Sequence, residues 1–191
     1  MLHAMPDDLI SQPAPGAVPK HVRFAILPAD AMAALVAGDL ATASAVTGIT
    51  LTPFFITDSA CRLWQRRLVQ LATEPCGAPW IARAAVSQPD GAVVGFAGFH
   101  GPPDGAGMVE VGYRVAEEFR RQGYARAMLT GLLHWAASEP QVTVVRATIS
   151  PENTASLATI RGFGFAHVGE QWDDEDGLEW IFEVPVHGRT A

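Results

Sequence analysis

The chain has 191 residues, enough for one ordinary domain with a sizeable core and too few for two. At 49% apolar and 17% charged, the sequence is not that of a disordered tail. Thirteen basic against twenty acidic residues give a formal charge of −7, which argues against general binding to nucleic acid, where many cations must neutralise phosphates.

The first twenty residues, "MLHAMPDDLISQPAPGAVPK", are proline-rich and lack the basic start and apolar stretch of a signal peptide. They read as a loose arm (1–20) ahead of a single domain (21–186) and a short tail (187–191). The longest apolar run, Ala31 to Ala37, is far below the ~20 residues needed to span a bilayer. Cys61 and Cys76 fit no CxxC or zinc spacing and read as free thiols. A cytoplasmic protein without membrane contact is the expectation.

"VRFAILP" is a first strand closed by Pro28. "ADAMAALVAG" predicts a helix with Asp30 as N-cap and Gly38 as stop. "TPFFITD" is a loop carrying Phe54 and Phe55 at exposed or half-buried positions. A helix follows from Asp58 to about Thr73, with Trp64, Leu68 and Leu71 on one face and Pro75 beyond its end. Phe54, Phe55 and Trp64 read as ordinary core or as the lining of a functional site. Three strands, "WIARAAVS", "AVVGFAGFH" and "MVEVGYRV", follow in quick succession and predict an antiparallel meander.

A long helix spans Gln122 to about Ser138, with Leu129, Leu132, Leu133 and Ala136 as its buried stripe. "VTVVRATI" is a strand, "SPENTASLATIRGFGF" holds a helix ended by Gly162 and Gly164, and "AHVGEQW" and "LEWIFEVPV" are strands joined by the acidic turn "DDEDG". The strand–helix–strand unit around the long helix adds a parallel pair to the meander. One α/β domain results, with a mixed, mostly antiparallel sheet of six or seven strands and four flanking helices.

The junction "RRQGYAR" is chemically odd. Arginine is unfavourable in the first turn of a helix, where the macrodipole is positive, unless an anion sits there too. A strand entering a helix through Gly123 leaves backbone N–H groups free, and Gly123 and the small Ala125 allow close approach of a phosphate. Arg120, Arg121 and Arg126 add charge. Neither a P-loop nor a dinucleotide fingerprint is present.

Arg120-x-x-Gly123-x-Ala125 after a strand resembles the cofactor loop of the GNAT superfamily of acyl-CoA-dependent N-acetyltransferases. "VEVGYRV" resembles the strand before that loop, and "NTASLATIRGFGF" resembles the family's last helix at Asn153, Ser156, Gly164 and Phe165. The element order agrees from about 20 to 186, and the similarity is greatest to the branch that acetylates N-termini of ribosomal proteins. The resemblance implies a GNAT fold and acetyl-CoA as cosubstrate with no metal. It implies cofactor contacts by Tyr113, Val115, Arg120, Arg121, Gln122, Gly123, Tyr124, Ala125, Arg126, Asn153 and Ser156, and a primary amine of a small molecule or protein N-terminus as acceptor. Oligomeric state stays open, a homodimer included. The competing reading is a non-catalytic acyl-CoA-binding or interaction domain on the same fold.

Acetyl transfer to an amine needs a base, an oxyanion donor and a way to release the thiolate. Glu110, on the strand leading to the loop, is the leading base candidate, or else a plain outward-facing strand glutamate. Glu170 and Asp173 are reserves, although residues 173–176 also read as a simple acidic turn. The oxyanion donor is expected to be a backbone N–H near Tyr113 or Arg114. The tyrosine acid that many relatives carry seven residues after the asparagine is replaced here by Ile160. Ser156 is the remaining hydroxyl near the expected sulfur, or a helix-surface serine, and Asn153 caps its helix, touches pantetheine, or both. The six histidines, at 3, 21, 100, 134, 167 and 187, share no metal-like spacing. Of these His100 stands out, ending a strand beside a glycine-rich loop.

Overall fold

The computed structural model describes residues 19–81, 83–174 and 177–186. The proposed arm through residue 18, His3, His187, the C-terminal tail and two residues of the acidic turn lie outside the described residues.

Strand β1 (His21–Ile26) leads into helix α1 (Ala29–Val36). Asp30 is not its N-cap. Pro28 holds that position, and Asp30 lies in the first turn, where its Oδ1 accepts from the Ala31 N–H at 2.9 Å. The charge is still well placed against the helix dipole. Helix α2 (Leu40–Thr47) is an addition to the sequence reading and brings the α-helices to five among the described residues. Asp39 caps it through the Thr42 N–H, and Gly48 ends it in a left-handed conformation with φ of 67°. It buries only Ala43, so it carries no apolar stripe by which to recognise it.

Helix α3 (Asp58–Thr73) follows a 3₁₀ turn over Pro53–Ile56. The meander is β2 (Arg83–Gln88), β3 (Val93–Phe99) and β4 (Met108–Val115). Strand β2 begins later than expected because Trp80 and Ile81 turn into the core, Trp80 stacking on Trp135 at 5.6 Å. Then come α4 (Tyr124–Ser138), β5 (Val144–Ile149), α5 (Thr154–Ile160), β6 (Ala166–Asp173) and β7 (Gly177–Pro185).

The seven strands lie in the order β1-β2-β3-β4-β5-β7-β6, and β4–β5 is the parallel pair. Leu129, Leu132 and Ala136 are buried against the sheet, with Leu133 half-buried at the stripe's edge. On the opposite face Trp64 is fully buried. Its ring meets Phe96 at 4.9 Å and stacks on Phe55 at 6.1 Å, and its Nε1 donates to the Phe55 carbonyl at 2.8 Å. Phe55 and Trp64 are therefore core, not cover for a substrate, and the expectation of an exposed or half-buried position for Phe55 is wrong. Phe54 is half-buried on Phe96. No helix among the described residues is long and apolar enough to cross a membrane.

Trp64 fixes α3 over β3. Trp64→Ala should lower unfolding stability by about 3–5 kcal/mol, the cost of emptying a large aromatic site, read as a fall in the urea midpoint at unchanged slope.

Candidate active site

The site is built where two strands part. β4 pairs with β3 from Val111 to Val115, yet it pairs with β5 only over Met108, Val109 and Glu110. Beyond Glu110 the two parallel strands diverge. Main-chain groups alternate sides along a strand. The Glu110 carbonyl accepts from the His100 N–H at 2.8 Å, and the Ala116 N–H donates to Val94 at 2.9 Å, so both face β3. By alternation, Val111, Tyr113 and Val115 turn their main-chain groups into the gap. Of the two expected oxyanion donors, the parity selects Tyr113 and points the Arg114 N–H at β3.

One cleft, of about 690 Å³, enters the gap from the α4–α5 side. Its floor is the turn before α4. Gly123 is the N-cap with φ of 90°, and Arg121 also has positive φ, at 60°. Left-handed backbone at a non-glycine residue is costly and is found where function holds it. The helix starts at Tyr124, two residues after the expected Gln122. Ala127 N–H donates to the Gly123 carbonyl, which leaves the preceding amides of the turn without intrahelical acceptors.

The side chains of the loop have distinct fates. Arg120 lies 3.5 Å from Glu117, and with Arg121 it lines the cleft. Arg126 lines it too, but its Nη1 donates to the Thr159 and Arg161 carbonyls at 3.0 and 2.9 Å, which ties the end of α5 to α4. Gln122 turns back to donate to the Glu118 carbonyl at 2.8 Å. Tyr124 is buried, its hydroxyl 3.0 Å from Ser87 Oγ. Val115 and Ala125 complete the wall.

A second cleft, of about 980 Å³, opens on the α3 side. Here β5 turns Thr148 outward while Val145, Ala147 and Ile149 are buried under the opposite face. Glu110 lies at its base with its side chain 21% exposed. It accepts a short hydrogen bond from the Thr148 hydroxyl, and His100 Nδ1 stands 3.4 Å from the same oxygen. Asp173 lines this cleft from β6, whereas Glu170 is exposed and does not. The two clefts share Tyr113, Arg114, Asn153 and Ser156. The reserve status of Glu170 thus has no geometric support, and that of Asp173 does.

Asn153 caps α5, its Oδ1 accepting the Ser156 N–H at 3.0 Å. Ile160, the position without a tyrosine, is buried core. β4 brings a phenol, that of Tyr113, to the cleft wall. Tyr113 Oη is buried with no hydrogen bond of normal geometry, while the Ser156 and Thr159 hydroxyls lie close enough to influence it. Burial raises the Tyr113 pKa above the phenolic value, those hydroxyls opposing, so the group keeps its proton. Nothing in the spacing of the sequence points to it, because the resemblance implies a phenol on the last helix and this one stands on the strand.

Loss of hydration in the cleft wall pushes the His100 imidazole below its ordinary value; Glu110 opposes the fall, and Arg67 and Arg66 add to it. Burial likewise lowers Arg67, which stays charged. Arg67 Nη1 and Gln70 Nε2 donate to the His100 carbonyl at 2.7 and 2.9 Å. Among the described residues no cluster of three or more His, Cys, Asp or Glu is placed to hold a metal ion.

Comparison with known proteins agrees with this geometry. Residues 25–166 match the model of an acetyltransferase (GNAT) domain. Over 73 residues, 38% of this chain, the sequence is 36% identical to the uncharacterized N-acetyltransferase YjdG of Bacillus subtilis strain 168, and the match spans 44% of that relative's length. Among solved structures the chain resembles Mycobacterium smegmatis RimJ in complex with CoA-disulfide, with a TM-score of 0.61 at 21% identity over 91% of this chain and 88% of that one. It also resembles the ribosomal-protein-S5-alanine acetyltransferase of Vibrio fischeri, with a TM-score of 0.59 at 16% identity over 89% and 94%. A chimera of spermidine N-acetyltransferase SpeG from Vibrio cholerae and hSSAT matches with a TM-score of 0.62 at 8% identity over 87% and 96%. At these identities the structural likenesses establish the fold.

The electrostatics of the α3-side cleft give a direct expectation. In an NMR pH titration, His100 should charge only below the unperturbed ~6.5. Glu110→Gln should lower its midpoint further by removing the charge that favours imidazolium, and Arg67→Met should raise it. A wild-type midpoint above the unperturbed value would show that Glu110 outweighs burial.

Proposed function

The chain belongs to the GNAT acetyltransferase family, and on that premise we propose that it transfers the acetyl group of acetyl-CoA to a primary amine of a small molecule or a protein N-terminus. The observation that carries the reading is the meeting of two clefts, from opposite sides, at Tyr113, Arg114, Asn153 and Ser156. A cofactor can enter by one and an acceptor by the other only if the strands between them part, as β4 and β5 do after Glu110.

The α4–α5 side suits coenzyme A. Amides of the turn before α4, with Arg120 and Arg121, bind the pyrophosphate at a helix start whose dipole favours anions. The Val115 main chain, turned into the gap, pairs with the pantetheine arm. When bound, acetyl-CoA supplies an acyl carbon activated as a thioester. The Tyr113 N–H polarises its carbonyl oxygen, the largest single kind of help available to acyl transfer. Ser156, with the protonated Tyr113 phenol behind it, stabilises or protonates the departing sulfur.

On the α3 side, the basic function lies with Glu110 and the groups it touches, with Asp173 lining the same cleft. A free α-amine has a pKa of ~7.7–8.0, so it needs only a modest push to attack as the neutral form. The relatives named for ribosomal-protein alanine and for spermidine mark a protein N-terminus and a small polyamine as acceptors to test first. The competing reading, a non-catalytic acyl-CoA-binding domain, drew on Ile160 in place of a tyrosine. The phenol of Tyr113 beside Ser156 weakens that argument.

Gly123→Val should abolish tight acetyl-CoA binding in isothermal calorimetry while the protein stays folded. Glycine is required there by its positive φ and by the approach of a phosphate, and unchanged affinity would remove the loop from the cofactor site. Ser156→Ala should slow turnover by about tenfold, the size of one charge-assisted hydrogen bond of ~1.5–3 kcal/mol, with acetyl-CoA affinity unaltered. Full activity across pH 6 to 9 would leave Ser156 a structural residue.

A further inference from the structure

Resting on that acetyl-transfer reading, the geometry points to His100 as the group that takes the proton from the acceptor amine, with Glu110 as the positioning residue that holds its imidazole. Three observations carry this. First, His100 and Glu110 are tied through the main chain and face each other, His100 Nδ1 standing 3.4 Å from a Glu110 oxygen. That oxygen is already engaged by the Thr148 hydroxyl, which fixes the carboxylate against the sheet. A separation of 3.4 Å is longer than a hydrogen bond, but such contacts in a free enzyme commonly tighten when substrates bind. A carboxylate at Nδ1 selects the tautomer with the proton on Nδ1 and leaves Nε2 with its lone pair free to accept.

Second, Nε2 lies beside Gly112, next to the position of the proposed oxyanion donor. A side chain at Gly112 would place its Cβ 3.0 Å from His100 Nε2. The ring therefore lies over Gly112, one residue from Tyr113, whose N–H faces the gap between β4 and β5. Glu110 is two residues back along β4 from Gly112 and is the last position paired with β5. The absence of a side chain at Gly112 is what admits the imidazole to the junction. Third, the His100 carbonyl is clamped by Arg67 and Gln70 of α3, so the residue is held from both its main chain and its ring.

The charged groups around the imidazole are Glu110 and Arg114 on β4, Arg66 and Arg67 on α3, and Asp173, Asp174 and Glu179 of the last hairpin across the cleft. The His100 side chain is half exposed; its partial loss of hydration, with the two α3 arginines, favours the neutral ring, the state in which it can accept a proton. In the step itself the amine nitrogen bonds to the thioester carbon and its proton passes to Nε2. The C–S bond breaks with its electron pair leaving on sulfur. The imidazolium then returns its proton to the thiolate, through Ser156 or solvent, giving an amide and a free thiol with no further reactant.

The test compares wild type, His100→Gln and Glu110→Gln, each with acetyl-CoA and an alanine-starting hexapeptide or spermidine, following thiol release from pH 4.5 to 9. In wild type, kcat/KM should rise through the titration of the acceptor amine and through a second, lower step belonging to His100. His100→Gln should cost about 10²–10⁴-fold in kcat/KM and remove the lower step. Glu110→Gln should keep that step, moved to lower pH, a change that a purely structural role would not produce. Nitrogen-15 NMR of the imidazole, which needs no acceptor, should show the proton on Nδ1 in wild type. If the lower step survives His100→Gln and vanishes in Glu110→Gln, or the neutral ring carries its proton on Nε2, Glu110 is the direct base and the proposal falls while acetyl transfer stands. No heat on titrating wild type with acetyl-CoA would overturn the acetyl-transfer reading itself, and this step with it.

Discussion

The divergence of β4 from β5 after three paired residues is the constraint on which the rest of the molecule depends. Separating two strands inside a sheet leaves unpaired main-chain groups, and such groups are costly if buried away from water or ligand. The chain makes the break tolerable from both sides. β4 keeps its full register with β3 as far as Val115, and β5 keeps its register with β7 as far as Ile149. The opening therefore costs each strand one ladder and not its place in the sheet. What remains is a row of main-chain groups of Val111, Tyr113 and Val115, fixed in direction by their neighbours and facing the gap, with the Val115 carbonyl accepting from Arg120 Nε at 3.4 Å.

The two faces of the break are chemically unlike, and the difference follows from what covers them. On one face α4 and α5 lie close together, joined by Arg126, which spends its charge on the carbonyls at the end of α5. The cleft between them ends in the amides before Tyr124. On the other face α3 is held over β3 by Trp64 and leaves β5 and β7 uncovered by a helix. There the strands carry polar pairs: Arg146 with Glu183 at 2.6 Å, Thr148 with Glu110. An opening with oriented donors and arginines suits an anionic ligand, and an opening of mixed charge suits amines. The chain's net negative charge does not conflict with anion binding, because the donors act over one turn of helix and not through the overall field.

Much of this was legible in the sequence where a residue's role is local. The meander, the stripe of α4 and the glycine at the helix start follow from periodicity and turn chemistry. α2 escaped because only Ala43 is buried, so apolar periodicity is missing even though Asp39 and Gly48 mark its ends. Asp30 was misplaced as a cap because Pro28 can occupy that position without a side-chain bond. In the site, Glu110, Gly123, Asn153 and Ser156 were singled out by type and spacing together with family resemblance. His100 attracted notice as a strand-end histidine, but its meaning depends on Gly112 lying beneath its ring, a contact between neighbouring strands. Tyr113 was marked for its main chain, while its phenol matters through α5, more than forty positions later in the chain. Such pairings arise only on folding.

A neutral imidazole as proton acceptor also bears on which amines this site can use. Each pKa unit between donor and acceptor corresponds to about 1.4 kcal/mol. An α-amine at ~7.7–8.0 lies only ~1–1.5 units above an unperturbed imidazole, and an alkyl amine such as that of lysine, at ~10.4, lies about four units above it. Burial lowers His100 and widens both gaps equally, so the difference between the amines remains at roughly 3–4 kcal/mol. To use an alkyl amine, the cleft would have to lower the amine's own pKa, by desolvation or by nearby cations. Asp173, Asp174 and Glu179 work in the opposite direction, because carboxylates facing an ammonium group stabilise its charge. Arg66 and Arg67 on the other wall repel it. An acceptor spanning the cleft with its reacting amine toward α3 and any second cation toward the hairpin would have its charges matched and its nucleophile neutralised. On the proposed chemistry, the opposed charges of the two walls select the orientation of the acceptor as well as its class.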